Sequence, residues 1–447
     1  MEKKISVFPI AGLVLFLLVL FAGFLVVSTF EKPSQSAQSS TPVQNPSSPI
    51  IQNNPTPVGS EEAANQTAAP GLDPYPAPTE ILVTTPTTEP IVVLPPLSTY
   101  PTPGPFKNMR VIYTQLEKPG FWINGVNGDD ERELKGWWST AENAIKYENL
   151  AFKPSPAGEY LLFSAKSIMN LYDPEANSFW VNKLDGGSPL IYVKGTEQWF
   201  PENPIWSPDG KQIAYRRVYK NKSETGDLIT GKGFEIWIMN VDGSEEKQIF
   251  SDPDLWVTVF GGDLPLFQWL YNGYIYFAVK DPGALYAVSP IDGASYKLID
   301  NIQSISWRIS LSADGQHIRP STDVPSDLIQ KAGMVPVLVP YDSDNPKWSA
   351  DGKKLLYKEK DEKEKGKVKI IFYNLINGEK KEVIKLKEKD KLLGLSPDER
   401  FIAYVDETQA LYVLDLKQNT TKLVKEGQAQ SQPHNDAVSF VDWLPEP

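Results

Sequence analysis

The chain has 447 residues with 39 prolines, no cysteine, two histidines (His317 and His434) and a formal charge of −12. The missing cysteines exclude disulfides, thiol catalysis, Cys-based zinc sites and a cysteine-linked lipid anchor, and two histidines are too few for a multi-His metal centre. The acidic balance argues against nucleic-acid binding through a basic surface.

Residues 1–6 place Lys3 and Lys4 ahead of an apolar run, Val7 to Phe30, that contains no charge. As a helix this run spans roughly 35 Å, enough to cross a bilayer core of about 30 Å. The two lysines favour a cytoplasmic N-terminus and export of the rest of the chain. A cleaved signal is the competing reading. Its apolar region is shorter and ends in a small-x-small site, which Val26-Val27-Ser28-Thr29-Phe30 does not offer. The expectation is a single-pass signal anchor over 7–30. The bulk of the chain is then extracytoplasmic, at a cell surface or in a periplasm.

Residues 31–105 are mostly Pro, Ser, Thr, Gln, Asn and Ala, and such a stretch buries too little apolar area to offset its ordering entropy. Two apolar patches interrupt it, Ile81-Leu82-Val83 and Ile91-Val92-Val93-Leu94. Pro86, Pro90, Pro95 and Pro96 flank them and argue against sheet pairing. The segment reads as a disordered linker with an r.m.s. span near 50 Å, lifting the C-terminal domain off the membrane.

From 106 to 447 the chain repeats. The clearest unit is Pro204-Ile205-Trp206-Ser207-Pro208-Asp209-Gly210-Lys211-Gln212-Ile213-Ala214-Tyr215, followed by Glu235-Ile236-Trp237-Ile238-Met239-Asn240-Val241-Asp242-Gly243. Pro-Asp-Gly supplies a preset φ, a side chain that caps its own turn, and a residue free to take φ > 0. Asp242-Gly243 between two strand-like runs is a hairpin signal. Two tight turns and one variable loop make four antiparallel strands, which is one propeller blade. The unit recurs with first turns at Ser155-Pro156-Ala157-Gly158, Ser349-Ala350-Asp351-Gly352 and Ser396-Pro397-Asp398-Glu399. A weaker copy lies at Tyr271-Asn272-Gly273 and Ile291-Asp292-Gly293, and a degenerate one at Ser312-Ala313-Asp314-Gly315. First turns fall roughly 37 to 62 residues apart, which brackets the spacing of propeller blades.

The chain ends Phe440-Val441-Asp442-Trp443-Leu444, like the inner strand that opens each repeat. The domain begins with Met109 to Thr114 and Gly120 to Asn124, like the remainder of a repeat. One blade is therefore expected to be shared between the termini, closing the ring without a long free edge. The fold class is an all-β propeller of seven four-stranded blades, or six if the Ser312 unit is not a blade.

The motif at 204–243 resembles the TolB-type propeller family, whose repeat reads W-S-P-D-G-x-x-I-A-[FY] followed by I-[WY]-[VI]-M-[DN]-x-D-G. The resemblance covers the chain from Phe106 onward and implies the fold far more than any activity. TolB carries a separate α/β domain ahead of its propeller, and here the linker takes that place, so the resemblance does not imply TolB's import role. Relatives of prolyl-oligopeptidase type keep Ser-His-Asp in a hydrolase domain. Neither that domain nor a G-x-S-x-G elbow occurs in these 447 residues. Propeller polysaccharide lyases use a histidine cluster that two histidines cannot build.

Asp209, Gly210, Asp242, Gly243, Asp351, Gly352 and Asp398 occupy turn positions, where holding the hairpin accounts for them. Asp129, Asp130, Glu131 and Glu133 crowd after a turn. A calcium loop is conceivable there, but the EF-hand pattern is absent, and no cofactor is assigned. Trp206, Trp269, Trp348 and Trp443 precede first turns and suit packing between blades. Trp137, Trp138, Trp199, Phe200 and Trp256 fall outside the repeat, in connections where aromatics could stack on a sugar or a peptide. The loops at 216–233 and 318–345 are the longer candidates for partner contact, and 358–367 reads as a charged hairpin tip. The leading expectation is a non-catalytic module that binds a protein, peptide or glycan. The alternatives are a carbohydrate-active enzyme built from channel carboxylates, and a sensor ectodomain working with a membrane partner.

Overall fold

The structure, a computed structural model, describes residues 91–102, 106, 108–115, 120–136, 150–165, 177–184, 186–222, 228–256, 266–279, 283–300, 309–319, 324–339, 346–427 and 438–446. The expected anchor (7–30) and the linker up to residue 90 lie outside the described residues. Among the described residues no helix is long and apolar enough to cross a membrane.

The strands form seven sheets. Blade 1 joins the two ends of the chain. The C-terminal β27 (Val438–Glu446) is its inner strand, followed outward by β1 (Asn108–Gln115), β2 (Phe121–Gly125) and β3 (Arg132–Leu134). The β1–β27 ladder runs antiparallel from Asn108↔Glu446 to Gln115↔Val438, and Arg110 pairs with both Glu446 and Asp130 beside it. Blade 2 contains β4 (Leu150–Pro154), β5 (Tyr160–Ala165), β6 (Ser178–Lys183) and β7 (Ile191–Lys194). Blade 3 contains β8 (Trp199–Trp206), β9 (Gln212–Lys222), β10 (Leu228–Asn240) and β11 (Lys247–Trp256). Blade 4 contains β12 (Phe267–Trp269), β13 (Ile275–Val279), β14 (Ala284–Val288) and β15 (Ser295–Ile299).

Blade 5 departs from the repeat. Its described residues form three strands, β16 (Ser310–Leu311), β17 (His317–Arg319) and β18 (Val335–Pro336), and β18 lies parallel to β17 because the helix α1 (Ser326–Lys331) carries the chain back between them. The degenerate Ser312 unit is thus a blade, giving seven, and three of its strands lie among the described residues. Blade 6 holds β19 (Lys347–Trp348), β20 (Lys354–Lys360), β21 (Lys367–Asn374) and β22 (Lys380–Lys387). Blade 7 holds β23 (Lys391–Leu395), β24 (Phe401–Val405), β25 (Leu411–Asp415) and β26 (Thr420–Lys425).

The turns make this geometry local. Asp209 Oδ1 accepts hydrogen bonds from Ser207 Oγ (2.7 Å) and the Lys211 amide (3.1 Å), while Ser207 Oγ accepts from the Gln212 amide (2.9 Å). Asp351 and Asp398 hold their turns the same way, through Ser349 (2.6 Å) and Ser396 (2.5 Å). At the second turn Asp242 accepts from the Ser244 amide at 2.9 Å, with Gly243 at φ +82°.

The core is divided into wedges between neighbouring blades. One wedge packs Phe121 and Ile123 of blade 1 on Phe163 and Trp180 of blade 2, and Phe163 and Trp180 stack at 5.7 Å. Another packs Phe234 of blade 3 on Phe277 of blade 4. Middle strands such as β13 and β24 are buried at all five residues because both faces meet a neighbouring blade. The wedge between blades 5 and 6 is small, built on Val337, Leu355, Tyr357 and Ile371.

Two expectations change. The segment 216–233 is for the most part a long hairpin of β9 and β10, paired as far as Lys222↔Leu228. Buried Arg216 and Val218 explain why its base is sheet and not loop. The linker, expected to be free as far as residue 105, lies on the propeller over 91–102. The Val92 amide donates to the Lys331 carbonyl (2.8 Å), and the Tyr100 amide to the Tyr271 carbonyl (2.8 Å). Tyr274 donates its hydroxyl to the Pro95 carbonyl at 2.8 Å. Val92, Leu94 and Leu97 cover the apolar cluster of blades 4 and 5 around Ile318 and Ile329, while Ile91 and Val93 face solvent. The prolines rule out a ladder, as the sequence suggests, but not an extended strap held by single bonds and alternate apolar side chains.

Candidate functional site

The inner strands of all seven blades line a central channel. Aligned on the first turn, each strand presents one residue immediately before the Trp position. These residues are Lys153, Ile205, Gln268, Ser310, Lys347, Gly394 and Asp442, in blades 2, 3, 4, 5, 6, 7 and 1. A cavity of about 640 Å³ occupies the channel beside blades 2 to 6 and is lined by Lys153, Ile205, Gln268 and Ser310. A second cavity of about 290 Å³ lies at the first-turn end, where Asp442, Tyr271 and the turns of blades 2, 6 and 7 meet. Trp348 and Ala350 line both cavities, so the two adjoin at blade 6.

The Trp residues frame the ring. Trp206 Nε1 donates to the Lys153 carbonyl and Trp348 Nε1 to Ser310 Oγ, each at 3.1 Å. Each indole thereby reaches the ring position of the preceding blade. Trp269 and Trp443 are buried too, at 7% and 4% exposure. The indole nitrogen of Trp269 and Oε1 of Gln268 have no hydrogen-bond partner among the described residues, and both residues line the larger cavity. Unpaired buried polar atoms cost about 1–3 kcal/mol each.

The ring is electrically lopsided. Lys347, Gly394, Asp442 and Lys153 form a charged arc across blades 6, 7, 1 and 2, facing Ile205, Gln268 and Ser310. Burial pushes the Asp442 carboxyl up, against the pull of Lys153 and Lys347. Partial desolvation by the crowded channel wall also pushes both lysines down, and Asp442 resists this in turn. Lys153 is exposed and Lys347 half-buried, so channel solvent limits the cost of holding their charge.

The aromatics singled out in the sequence are not brought together. Trp137 and Trp138 lie outside the described residues, as does the side chain of Trp256 at the end of β11. Phe200 is buried at 1% exposure in the wedge between blades 3 and 4 and offers no face to a ligand, because β8 begins at Trp199 and turns it inward. Trp199 is half-buried, and the Arg217 guanidinium lies 4.4 Å from its ring centre and 3.6 Å from that of Trp237. Arg217 is itself fixed by Glu246 at 2.9 Å. The acidic run after Gly128 is spread among basic partners: Asp130 meets Arg110, and Glu131 meets Lys425 at 2.8 Å. Among the described residues no group of three or more side chains is placed to hold a metal ion. Sequence reasoning missed the ring, whose only signal is the residue before each Trp-Ser position once the inner strands are aligned.

No protein-family profile and no curated protein matches the chain. Among solved structures it is similar to TolB from Acinetobacter baumannii, at 11% identity and a TM-score of 0.34, covering 76% of this chain and 68% of that one. It is also similar to oligogalacturonate lyase from Vibrio parahaemolyticus, at 11% identity and a TM-score of 0.35, covering 75% and 84%. A third is dipeptidyl peptidase 4 from Porphyromonas gingivalis, at 12% identity and a TM-score of 0.39, covering 72% and 50%. Such values speak of fold alone, and the seven-bladed ring rests on its own strand pairing.

Proposed function

We propose that this chain is a membrane-anchored, extracytoplasmic binding module that holds a segment of a partner in its propeller channel without transforming it. The observation that carries the reading is the pair of adjoining channel cavities, with one polar or charged arc and buried polar groups left unpaired among the described residues of their wall. The anchor and the outward placement rest on the uncharged run after Lys3 and Lys4. The carbohydrate-active alternative needs two convergent carboxylates about 5–10 Å apart. Among the described residues lining the two channel cavities Asp442 is the single carboxylate.

The test uses the full-length chain in detergent on peptide and glycan arrays, beside the variant Gly394→Trp, which places an indole in the ring. Selective binding by the native chain that the variant loses, with an unchanged melting temperature, is the expected result. Binding that survives Gly394→Trp would move the site off the channel, and turnover of a bound glycan would replace the binding reading with the enzymatic one.

A further inference from the structure

We infer that the charged arc of the channel, Lys153 and Lys347 on either side of Asp442, is a receptor for an oxyanion, a carboxylate or a phosphate, carried on a ligand slender enough to enter the channel. This rests on the channel being the binding site and adds the charge of what it holds.

Three observations carry the inference. First, the fold does not require charge at the ring. Ile205, Gln268, Ser310 and Gly394 occupy the same position in blades 3, 4, 5 and 7, which form their sheets with no charge there. Second, neither ammonium group is used by the protein. Lys354, Lys385, Lys387 and Lys425 all sit in ion pairs at 2.5–2.8 Å. Lys153 and Lys347 have no ion-pair or hydrogen-bond partner for Nζ among the described residues, and feel Asp442 only through space. Asp442 in turn accepts a hydrogen bond from the Trp443 amide at 2.8 Å. Third, two cations face one anion, so the arc keeps an excess of positive charge inside a chain whose net charge is −12. Gly394, the ring residue between Lys347 and Asp442, puts no side chain between them.

An oxyanion seated there would accept hydrogen bonds from both ammonium groups, while Gln268 and Ser310 across the channel address the neutral remainder of the ligand. Asp442 then acts against affinity. It repels a second negative group and restricts the arc to ligands with one anionic end. A site built for an amine would instead place Asp442 as the attractor and the lysines as penalties. The two assignments make opposite predictions for the same substitution.

The experiment is titration of the full-length chain, followed by calorimetry, with glutarate, inorganic phosphate and, as the cationic control, putrescine. We expect at least one anion to bind and putrescine not to bind. Lys153→Met with Lys347→Met should weaken the anion at least tenfold. The charge-keeping variant Lys153→Arg with Lys347→Arg should retain most of the affinity, and Asp442→Asn should tighten it severalfold. Comparing glutarate with phosphate decides between the two oxyanion sources. Putrescine binding, weakening by Asp442→Asn, or no response to either anion overturns the inference. If array ligands are lost in Gly394→Trp but kept in the double Met variant, the channel remains the site and the charge assignment alone falls.

Discussion

An added Cβ at Gly352 would lie 2.7 Å from the Asp314 carboxyl and 2.9 Å from the Asp314 amide, at a φ of +74°. The left-handed conformation alone costs a non-glycine residue about 1–2 kcal/mol, and the contact involves backbone that cannot swing away. Gly352→Ala should therefore lower stability by about 2–4 kcal/mol, read as a drop in the denaturation midpoint. Blade 7 has Glu399 in the same place at φ +57°, with its carboxylate 2.5 Å from Lys354 of blade 6. A second residue-scale prediction concerns Asp361, at the tip of the β20–β21 hairpin. Lys385 above all, then the Lys363 amide and Lys369, hold its carboxyl at about 2. That lies below the value of about 3.9 for an unfolded aspartate. Its contribution is thus present above about pH 4 and is lost as the pH falls towards 2. Urea midpoints of native protein and Asp361→Asn should differ at pH 6 and converge near pH 2. A gap that persists in acid would assign the loss to shape and not to charge.

At the scale of elements, the first turns were legible because each Ser-x-Asp-Gly carries its own conformational code. Four residues specify the bend and all their bonds are local. The shared blade was legible for a related reason, since each end of the chain carries the half that the other lacks. Blade 5 was only partly legible. Its second half replaces strands with α1 and a parallel β18, and nothing in the Ser312 motif encodes that detour. The strap was not legible at all. Its prolines correctly forbid a ladder, but its stability comes from Leu94 and Leu97 meeting Ile318 and Ile329, residues far away in the chain. Removing the strap should therefore be measurable. A chain begun at residue 106 would leave the blade 4–5 cluster uncovered and melt lower than one begun at 88, while Tyr274→Phe in the longer chain should cost about 1 kcal/mol. Hydrogen exchange should show faster opening confined to blades 4 and 5 in both cases. Equal melting of the two chains would reduce the strap to a passive contact.

On the scale of the whole molecule, the ring closes by pairing strands from opposite ends of the chain, and its stability is shared among wedges of unequal size. The channel ring is a property of this scale only. Lys153, Lys347 and Asp442 are ordinary residues in three distant stretches of sequence, and only the seven-fold arrangement makes them neighbours. That is why loop aromatics drew attention in the sequence and inner-strand charges did not. Phe200 and Trp199 look free in a connection, yet β8 starts early enough to draw one into a wedge and to place the other under Arg217.

The strap also sets where mechanical load enters the propeller. Among the described residues, tension passed along the chain from its N-terminal side would meet residue 91, on blade 5, before the seam of blade 1 where β1 begins. Single hydrogen bonds at Val92, Pro95 and Tyr100, and the half-buried side chains of Val92, Leu94, Leu97 and Tyr100, resist it one after another, as in peeling tape. Releasing 91–102 frees about 40 Å of chain at roughly 3.3–3.6 Å per residue before force reaches the strands that close the ring. Under such tension the strap would give way ahead of the β1–β27 ladder, which is held by eight paired positions.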